Sequence, residues 1–335
     1  MTGRKRKAAE AGRIAGAGSI IGAALMVAGC IASASPTGNA GPYVSHPDPA
    51  ADYAQSAQRV DQPRATEAAL RPDSRVILLT HGVRTARAIV FIHGHDSSPA
   101  SFREIGMQFH HLGYNVLMAP MPYHGLADRM TTEPEKLRVE DMIRYTDEVV
   151  DIGRGLGEHL TLAGISLGGL LAGWVAQERP DVDLAVLISP GFAAKELPGL
   201  TMPLVGWFFR VWPNFFVWEN PVLKADKPPE YDYPRWSTHS MGQVVRLDAV
   251  IRQSARRKAP ASRSILVVTN LNDPDVDNTG TDTVVQMWRS HGMANLRTYE
   301  FPADLGLGHD VIDPEPPNQK VVTLVYPKLI ELIDR

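Results

Sequence analysis

The sequence contains a single cysteine, Cys30, among its 335 residues. One thiol cannot form an intramolecular disulfide, so the fold cannot depend on disulfide crosslinks. We therefore expect a core stabilised by apolar packing, and the hydrophobic content of 44% is ordinary for a globular protein of this size.

An excess of charge of one sign is also missing. The chain has 34 Lys and Arg residues against 37 Asp and Glu residues, which gives a formal net charge of −3 at neutral pH. Proteins that bind nucleic acid usually carry clustered basic residues, and no basic stripe interleaved with aromatic residues occurs beyond the extreme N-terminus. We therefore predict no nucleic-acid partner.

The N-terminus carries a pattern typical of a targeting signal. Residues 4–7 are all basic, and residues 14–29 are apolar and small, but this run is too short and too rich in glycine and alanine to predict a transmembrane span. It ends at Val27-Ala28-Gly29-Cys30, which resembles a bacterial lipobox, where a cysteine after small residues receives a diacylglyceryl group. The alternative is a plain secretory signal followed by an incidental cysteine.

The lipobox interpretation sets the expected organisation of the chain. We predict a lipoprotein signal peptide over residues 1–29, lipidation of Cys30, and a flexible linker over residues 30–72, which are rich in Ala, Ser, Pro, Asp and Gly. The folded domain would span residues 73–335. It would lie in the bacterial cell envelope, outside the cytoplasm, and a lipid would anchor it to a membrane without a spanning helix.

From about residue 75, short apolar runs alternate with longer amphipathic segments. Predicted strands lie at residues 76–79, 88–92, 116–119, 160–163, 184–188, 265–268 and 296–301, and predicted helices at 101–112, 141–153 and 320–333. Strands that alternate with helices predict an α/β fold with a mostly parallel, doubly wound sheet and right-handed crossovers.

One block interrupts the alternation. Residues 192–260 are rich in proline and aromatic residues, and seven of the 24 aromatic residues of the chain lie between positions 207 and 218. We predict that this block is a helical cap inserted after the sixth strand. Its aromatic side chains could line an acyl-binding pocket or touch a lipid surface, or they could simply pack the cap onto the sheet.

The Gly-x-Ser-x-Gly stretch at residues 164–168 lies between a predicted strand and a predicted helix. A strand that turns abruptly into a helix leaves no room for side chains two positions on either side of the turn, and glycine at 164 and 168 removes them. The pattern predicts a nucleophile elbow. It would hold the hydroxyl of Ser166 clear of the backbone at the positive end of a helix dipole.

A serine nucleophile needs a base, and the base needs an acid that fixes its tautomer. His309 follows the last predicted strand on a glycine-rich loop, and we predict that it is the base. Asp273, which precedes a proline just beyond the strand at 265–268, is the predicted acid, and Asp275 remains a competitor. This order of Ser, Asp and His along the chain is the one expected for the fold class.

The amide of Leu167 and the amide of His95, in the loop after the strand at 88–92, are the predicted donors to an oxyanion. His93 and His95 could also ligate a metal, but no third ligand follows at suitable spacing, so no metal is predicted. The Asp-x-Asp-x-Asp run at residues 273–277 lacks the glycine and the glutamate of a calcium loop.

These motifs together resemble the α/β-hydrolase superfamily, and most closely its monoacylglycerol lipase, carboxylesterase and serine-aminopeptidase-like branch. The motifs that carry the resemblance are His93-Gly94, Gly164-Ile165-Ser166-Leu167-Gly168-Gly169, Asp273-Pro274 and Gly308-His309-Asp310. It covers about residues 75–335 and implies the fold, the triad roles and hydrolysis of an acyl bond.

We expect a serine hydrolase that cleaves a lipid or small acyl ester without a cofactor. A peptidase or amidase and a thioesterase would use the same machinery. A catalytically silent hydrolase fold that binds surfaces is the alternative from another functional class.

Overall fold

A computed structural model describes residues 43–62, 69–195, 201–227, 229–314 and 320–334. The predicted signal peptide and Cys30 lie outside these ranges, so lipidation and envelope location stay predictions. Within the described ranges, no helix combines the length and the apolar character needed to cross a bilayer.

A seven-stranded sheet forms the centre of the molecule, in the strand order β1-β3-β2-β4-β5-β8-β9. Its strands are β1 (Ile77–Leu79), β2 (Thr85–Ile92), β3 (Asn115–Met118), β4 (Gly157–Ile165), β5 (Leu184–Ile188), β8 (Ser264–Asn270) and β9 (Leu296–Phe301). Among the described strands of this sheet, only the β1 pairing is antiparallel, and the other five pairings are parallel. The predicted mostly parallel α/β sheet is therefore confirmed. Two further strands, β6 (Phe216–Trp218) and β7 (Arg235–Ser237), pair with each other away from the sheet.

Helices cover both faces of this sheet. The described α-helices are α1 (Tyr53–Asp61), α2 (Arg103–His111), α3 (Val139–Leu156), α4 (Leu167–Glu178), α5 (Met202–Val211), α6 (Thr238–Arg257), α7 (Asn278–Ser290) and α8 (Tyr326–Ile333). A π-helical turn (Val321–Val325) precedes α8, so the predicted C-terminal helix has two parts. Successive residues of β2 alternate between two cores. Val90 packs with α3 and α4, and Phe91 packs with α2 and α8.

The cap (residues 192–260) contains α5, β6, β7 and α6. It follows β5, which is the fifth strand along the described chain, so the predicted insertion after a sixth strand is wrong. Five predicted strands precede residue 192, and the structure contains β1 to β5 at those places, so the error lies in the number given to the strand before the cap.

Residues 43–62 correct the predicted linker. The backbone amide of His46 donates to Asp147 Oδ2 at 2.7 Å, and that of Asp48 donates to Asp151 Oδ2 at 2.8 Å. Ser56 in α1 is fully buried, and its hydroxyl donates to the carbonyl oxygen of Ile152. Residues 43–62 therefore belong to the folded body and not to a flexible tether.

Asp147 and Asp151, which hold the N-terminal segment, also hold a buried arginine. The side chain of Arg179 is 0% exposed, and its guanidinium lies 3.1 Å from Asp147 Oδ1 and 2.6 Å from Asp151 Oδ1. Replacing Arg179 with methionine would leave both buried carboxylates without their counter-charge. We expect the free energy of unfolding to fall by about 3–5 kcal/mol, measured by urea denaturation.

Arg263→Met is the matched control. The Arg263 guanidinium lies 2.7 Å from Asp183 Oδ1 but is 69% exposed, so its loss should cost less than about 1 kcal/mol. Equal destabilisation by the two substitutions would show that burial of the Arg179 cluster does not matter to the fold.

Candidate active site

Ser166 lies at the turn between β4 and α4, with φ +56° and ψ −113°. A Cβ at Gly164 would lie 2.2 Å from the carbonyl oxygen of Gly168, and a Cβ at Gly168 would lie 2.0 Å from that of Ile92. No side chain fits at either position. The strand, tight turn and helix expected from the sequence are therefore present, and the close backbone approach is the reason for both glycines.

The loop after β2 runs directly beside this turn. A Cβ at Gly94 would lie 3.5 Å from the Cβ of Ser166, so the backbone of the loop passes close to the serine. Leu167 is the first residue of α4, and its amide belongs to the N-terminal amides that have no acceptor within the helix. Ser166, Leu167 and His95 all line one cavity, as an oxyanion site would require.

His309 and Asp273 are in direct contact. The His309 Nδ1 atom lies 2.8 Å from Asp273 Oδ2 and 3.0 Å from Oδ1. Asp273 is 1% exposed, and its Oδ1 also accepts the backbone amides of Asp275 and Val276, each at 2.9 Å. The side chain of Asp275 is exposed, and the residue contacts Asp273 through its backbone amide. Of the two candidate acids, the structure brings Asp273 to the imidazole.

This contact changes the proton affinity of both groups. Burial alone would lower the pKa of His309, but the hydrogen bond and the charge of Asp273 raise it to about 9. Burial opposes ionisation of Asp273 as well, and the contact with His309 nevertheless holds the pKa of its carboxyl below the ordinary value. Because Nδ1 is bound to Asp273, Nε2 is the nitrogen left to exchange a proton with a substrate or nucleophile.

Ser166 and His309 line the same cavity, but within the described residues no hydrogen bond joins the Ser166 hydroxyl to the imidazole. Catalytic hydrogen bonds in unliganded enzymes are often long and tighten only when substrate binds. His309 follows a glycine-rich turn in which Gly306 has a φ of +59°, so the loop that carries the ring has a backbone suited to such an adjustment.

Asn270, which the sequence reasoning missed, holds the loop before His309. It is fully buried at the end of β8, and its Nδ2 donates to the carbonyl oxygens of Leu307 at 3.1 Å and Gly308 at 2.8 Å. The same strand end thus supports the loop of the acid and the loop of the base. No local motif marks Asn270, because its partners lie 37 and 38 positions further along the chain.

The cavity beside Ser166 has a volume of about 590 Å³, within the range of small-molecule sites. The cap supplies most of its apolar wall, including Met202, Phe209, Phe216, Trp218 and Trp236. Other cap aromatics lie elsewhere. Trp212 is 50% exposed and stacks on Phe208 with ring centroids 5.3 Å apart. Only part of the aromatic run at 207–218 therefore faces the candidate site.

The wall also carries charged groups. Asp96 and Asp232 are both more than nine-tenths buried, and the ammonium of Lys227 lies 3.9 Å from Asp232 Oδ2. Burial raises the pKa of the Asp232 carboxyl well above its usual range, although the charge of Lys227 opposes the change. The cavity therefore combines an apolar wall with a small polar region.

His93, considered above as a metal ligand, lies buried behind the site. Its Nε2 accepts the backbone amide of Met121 at 3.0 Å, and its Nδ1 lies 2.8 Å from the carbonyl oxygen of Gly94. Burial lowers the pKa of His93 to about 4, so the ring is neutral at pH 7. The part of the chain that the structure describes contains no group of three or more His, Cys, Asp or Glu side chains placed to hold a metal.

Solved structures share this architecture. A structure from work on the metagenome-derived lipolytic enzymes LipS and LipT is 18% identical, with a TM-score of 0.58, and the match covers 79% of this chain and 99% of the other. A Paleococcus ferrophilus monoacylglycerol lipase is 18% identical, with a TM-score of 0.57 and coverages of 76% and 98%. A soluble variant of Saccharomyces cerevisiae monoglyceride lipase is 12% identical, with a TM-score of 0.59 and coverages of 77% and 91%. At these identities the likeness shows the shared fold.

Sequence comparison identifies the family. No curated protein matches the chain significantly in sequence. Residues 84–259, just over half of the chain, match the family described as serine aminopeptidase, S33. The matched region includes the loop after β2, the elbow at Ser166 and the cap. The chain therefore belongs to the serine aminopeptidase S33 family, within the α/β-hydrolase superfamily.

Proposed function

We propose that this chain is a serine hydrolase that cleaves carboxylic esters through an acyl-enzyme. Ser166 would be the nucleophile, His309 the general base and acid, and Asp273 the residue that orients His309. One observation carries the proposal: His309, bound to the buried Asp273, lines the same cavity as the strained serine of the elbow.

The reaction would begin when the Ser166 oxygen attacks the ester carbonyl carbon and His309 Nε2 takes the hydroxyl proton. The carbonyl electrons move onto its oxygen, where the amides of Leu167 and His95 would stabilise the negative charge. Collapse of this intermediate breaks the bond to the alcohol, which leaves with the proton from His309. Water then repeats the sequence on the acyl-enzyme and releases a carboxylic acid.

The cavity wall supports a lipid or small acyl ester as the substrate. Phe209, Trp236 and the other apolar residues named above can cover an acyl chain, and burial of each methylene contributes about 0.8 kcal/mol. The names of two structurally similar proteins, a monoacylglycerol lipase and a monoglyceride lipase, agree with this class. We further propose that the lipid on Cys30 holds the enzyme at a membrane of the cell envelope, close to such substrates.

A panel of p-nitrophenyl esters with acyl chains of two to twelve carbons tests the proposal. We expect kcat/KM to rise by up to about fourfold for each methylene, which is the rate equivalent of 0.8 kcal/mol, until the cavity is filled. Matched p-nitroanilides and thioesters should be cleaved more slowly than the esters.

Preference for an anilide or a thioester would overturn the ester assignment in favour of a peptidase or a thioesterase. Failure of a fluorophosphonate probe to label Ser166 in the folded protein would favour the catalytically silent alternative. If kcat/KM does not change with acyl length, the cap does not bind the acyl chain.

A further inference from the structure

The side chain of His95 connects the loop after β2 to the cap. The ring is only 9% exposed, and its Nε2 lies 2.9 Å from the hydroxyl of Ser240 in the first turn of α6. Its Nδ1 lies 3.1 Å from Asp96 Oδ1, within the same loop. These two contacts bridge the segment that would supply an oxyanion donor and a helix of the cap, across 145 positions of sequence.

The groups beside the two ring nitrogens indicate where the protons lie. Ser240 has one hydroxyl proton, which it donates to the carbonyl oxygen of Ser237 at 2.9 Å, so it must accept from His95 Nε2. Nδ1 faces a carboxylate, and a bare nitrogen lone pair there would be repelled by it. A proton on Nδ1 would pair with this carboxylate, so the two contacts favour the imidazolium form of His95.

The surrounding charges agree with that protonation. Burial opposes it, but the charges of Asp96 and Glu219 raise the pKa of His95 above its ordinary value. The ring centroid of His124 lies 5.9 Å from that of His95, edge-on. Burial holds the pKa of His124 well below the ordinary range, so that ring is neutral.

A second cap contact acts on the next residue of the loop. The carbonyl oxygen of Asp96 accepts the backbone amide of Tyr233 at 2.7 Å. Asp96 has a φ of +66°, a left-handed conformation that costs a non-glycine residue about 1 kcal/mol or more. The loop thus keeps a strained backbone between two contacts from the cap, and surrounding structure is what maintains such strain.

We propose that the His95 side chain is a positioning residue, whose bridge from Asp96 to Ser240 holds its own backbone amide in place as an oxyanion donor and makes this placement depend on the cap. The inference rests on the proposed function, because it requires an oxyanion. It assigns the imidazole no contact with substrate.

Ser240→Ala tests the cap end of the bridge. Loss of one oxyanion donor typically lowers kcat by about 10²–10³-fold, so displacement of a donor should cost about 10- to 100-fold in kcat, with KM changed less than about twofold. Ser254→Ala is the matched control, because Ser254 lies on the same helix and its hydroxyl also donates a side-chain hydrogen bond, to Glu178 at 2.7 Å. Its kcat should match that of the unmodified protein.

Two substitutions of His95 separate the halves of the bridge. The side-chain amide nitrogen of glutamine can occupy the place of Nε2 and donate to Ser240, whereas that of asparagine reaches only the place of Nδ1. We expect His95→Gln to retain at least fivefold more kcat than His95→Asn. Equal losses, or a loss confined to KM, would contradict positioning through Ser240.

The ring itself can be observed without activity. In ¹⁵N NMR spectra at pH 7, we expect both His95 nitrogens to be protonated, with the signals assigned by their disappearance in His95→Gln. A His95 Nε2 without a proton would overturn the bridge, whatever the kinetics show. Equal kcat for Ser240→Ala and Ser254→Ala would overturn the positioning role, while an unmodified protein inert towards all esters would instead overturn the proposed function.

Discussion

Replacement of Ser166 with alanine is expected to lower kcat towards short p-nitrophenyl esters by about 10⁴-fold or more, because it removes the hydroxyl that would form the acyl-enzyme. The turn geometry comes from Gly164 and Gly168 and from backbone contacts, none of which needs the hydroxyl. The fold should therefore remain intact. The measurement is steady-state hydrolysis, with the thermal unfolding midpoint recorded for both proteins.

Ser189→Ala is the matched control for this loss. Ser189 follows β5, the strand beside β4, and like Ser166 it is a serine with a positive φ, here 39°. It is 1% exposed and does not line the cavity. Its replacement should change kcat by less than about twofold. Unchanged turnover in Ser166→Ala would exclude Ser166 as the nucleophile.

Replacement of Asp273 with asparagine is the second large effect we expect. An asparagine there can favour the wrong tautomer of His309, and the corresponding loss in serine proteases is about 10⁴-fold in kcat. Asp275→Asn changes the same chemical group two positions away, where the side chain is exposed and the structure uses the backbone amide. Its kcat should stay within about threefold. A larger loss from Asp275→Asn than from Asp273→Asn would reverse the assignment of the acid.

The pH dependence gives a separate test of this pair. The base must be neutral to accept a proton, so kcat/KM should rise with pH and level off near the His309 pKa of about 9. Asp273→Asn removes the charge that stabilises the imidazolium most. In this variant, the rise of the residual kcat/KM with pH should therefore occur at lower pH. If kcat/KM rises over the same pH range in both proteins, the rise does not report on the protonation of His309.

Local sequence patterns were sufficient to predict the sheet and the elbow. Apolar runs such as residues 88–92 predict strands buried on both faces, and β2 alternates between two cores as such a strand must. The glycines around Ser166 predicted a turn with no room for side chains, and the distances at both positions show why. These features depend on neighbours within a few residues, so the sequence displays them directly.

The linker predicted from composition was wrong for residues 43–62, because this segment folds against residues far away in the chain. Residues 43–62 looked like part of a linker, yet the backbone amides of His46 and Asp48 bind aspartates about 100 positions away. Because these bonds use the main chain, they require no particular side chains in the segment, and its composition gives no sign of them.

The fold class, the elbow and the candidate catalytic residue types could be predicted from the sequence, because backbone geometry and apolar periodicity are local properties. The packing of the chain brought Asp273 rather than Asp275 to the His309 imidazole, placed Asn270 under the His309 loop, and joined His95 to Ser240. Each of these depends on the distance between side chains far apart in the chain. Such distances are fixed by how the strands and the cap pack, and no local pattern records them.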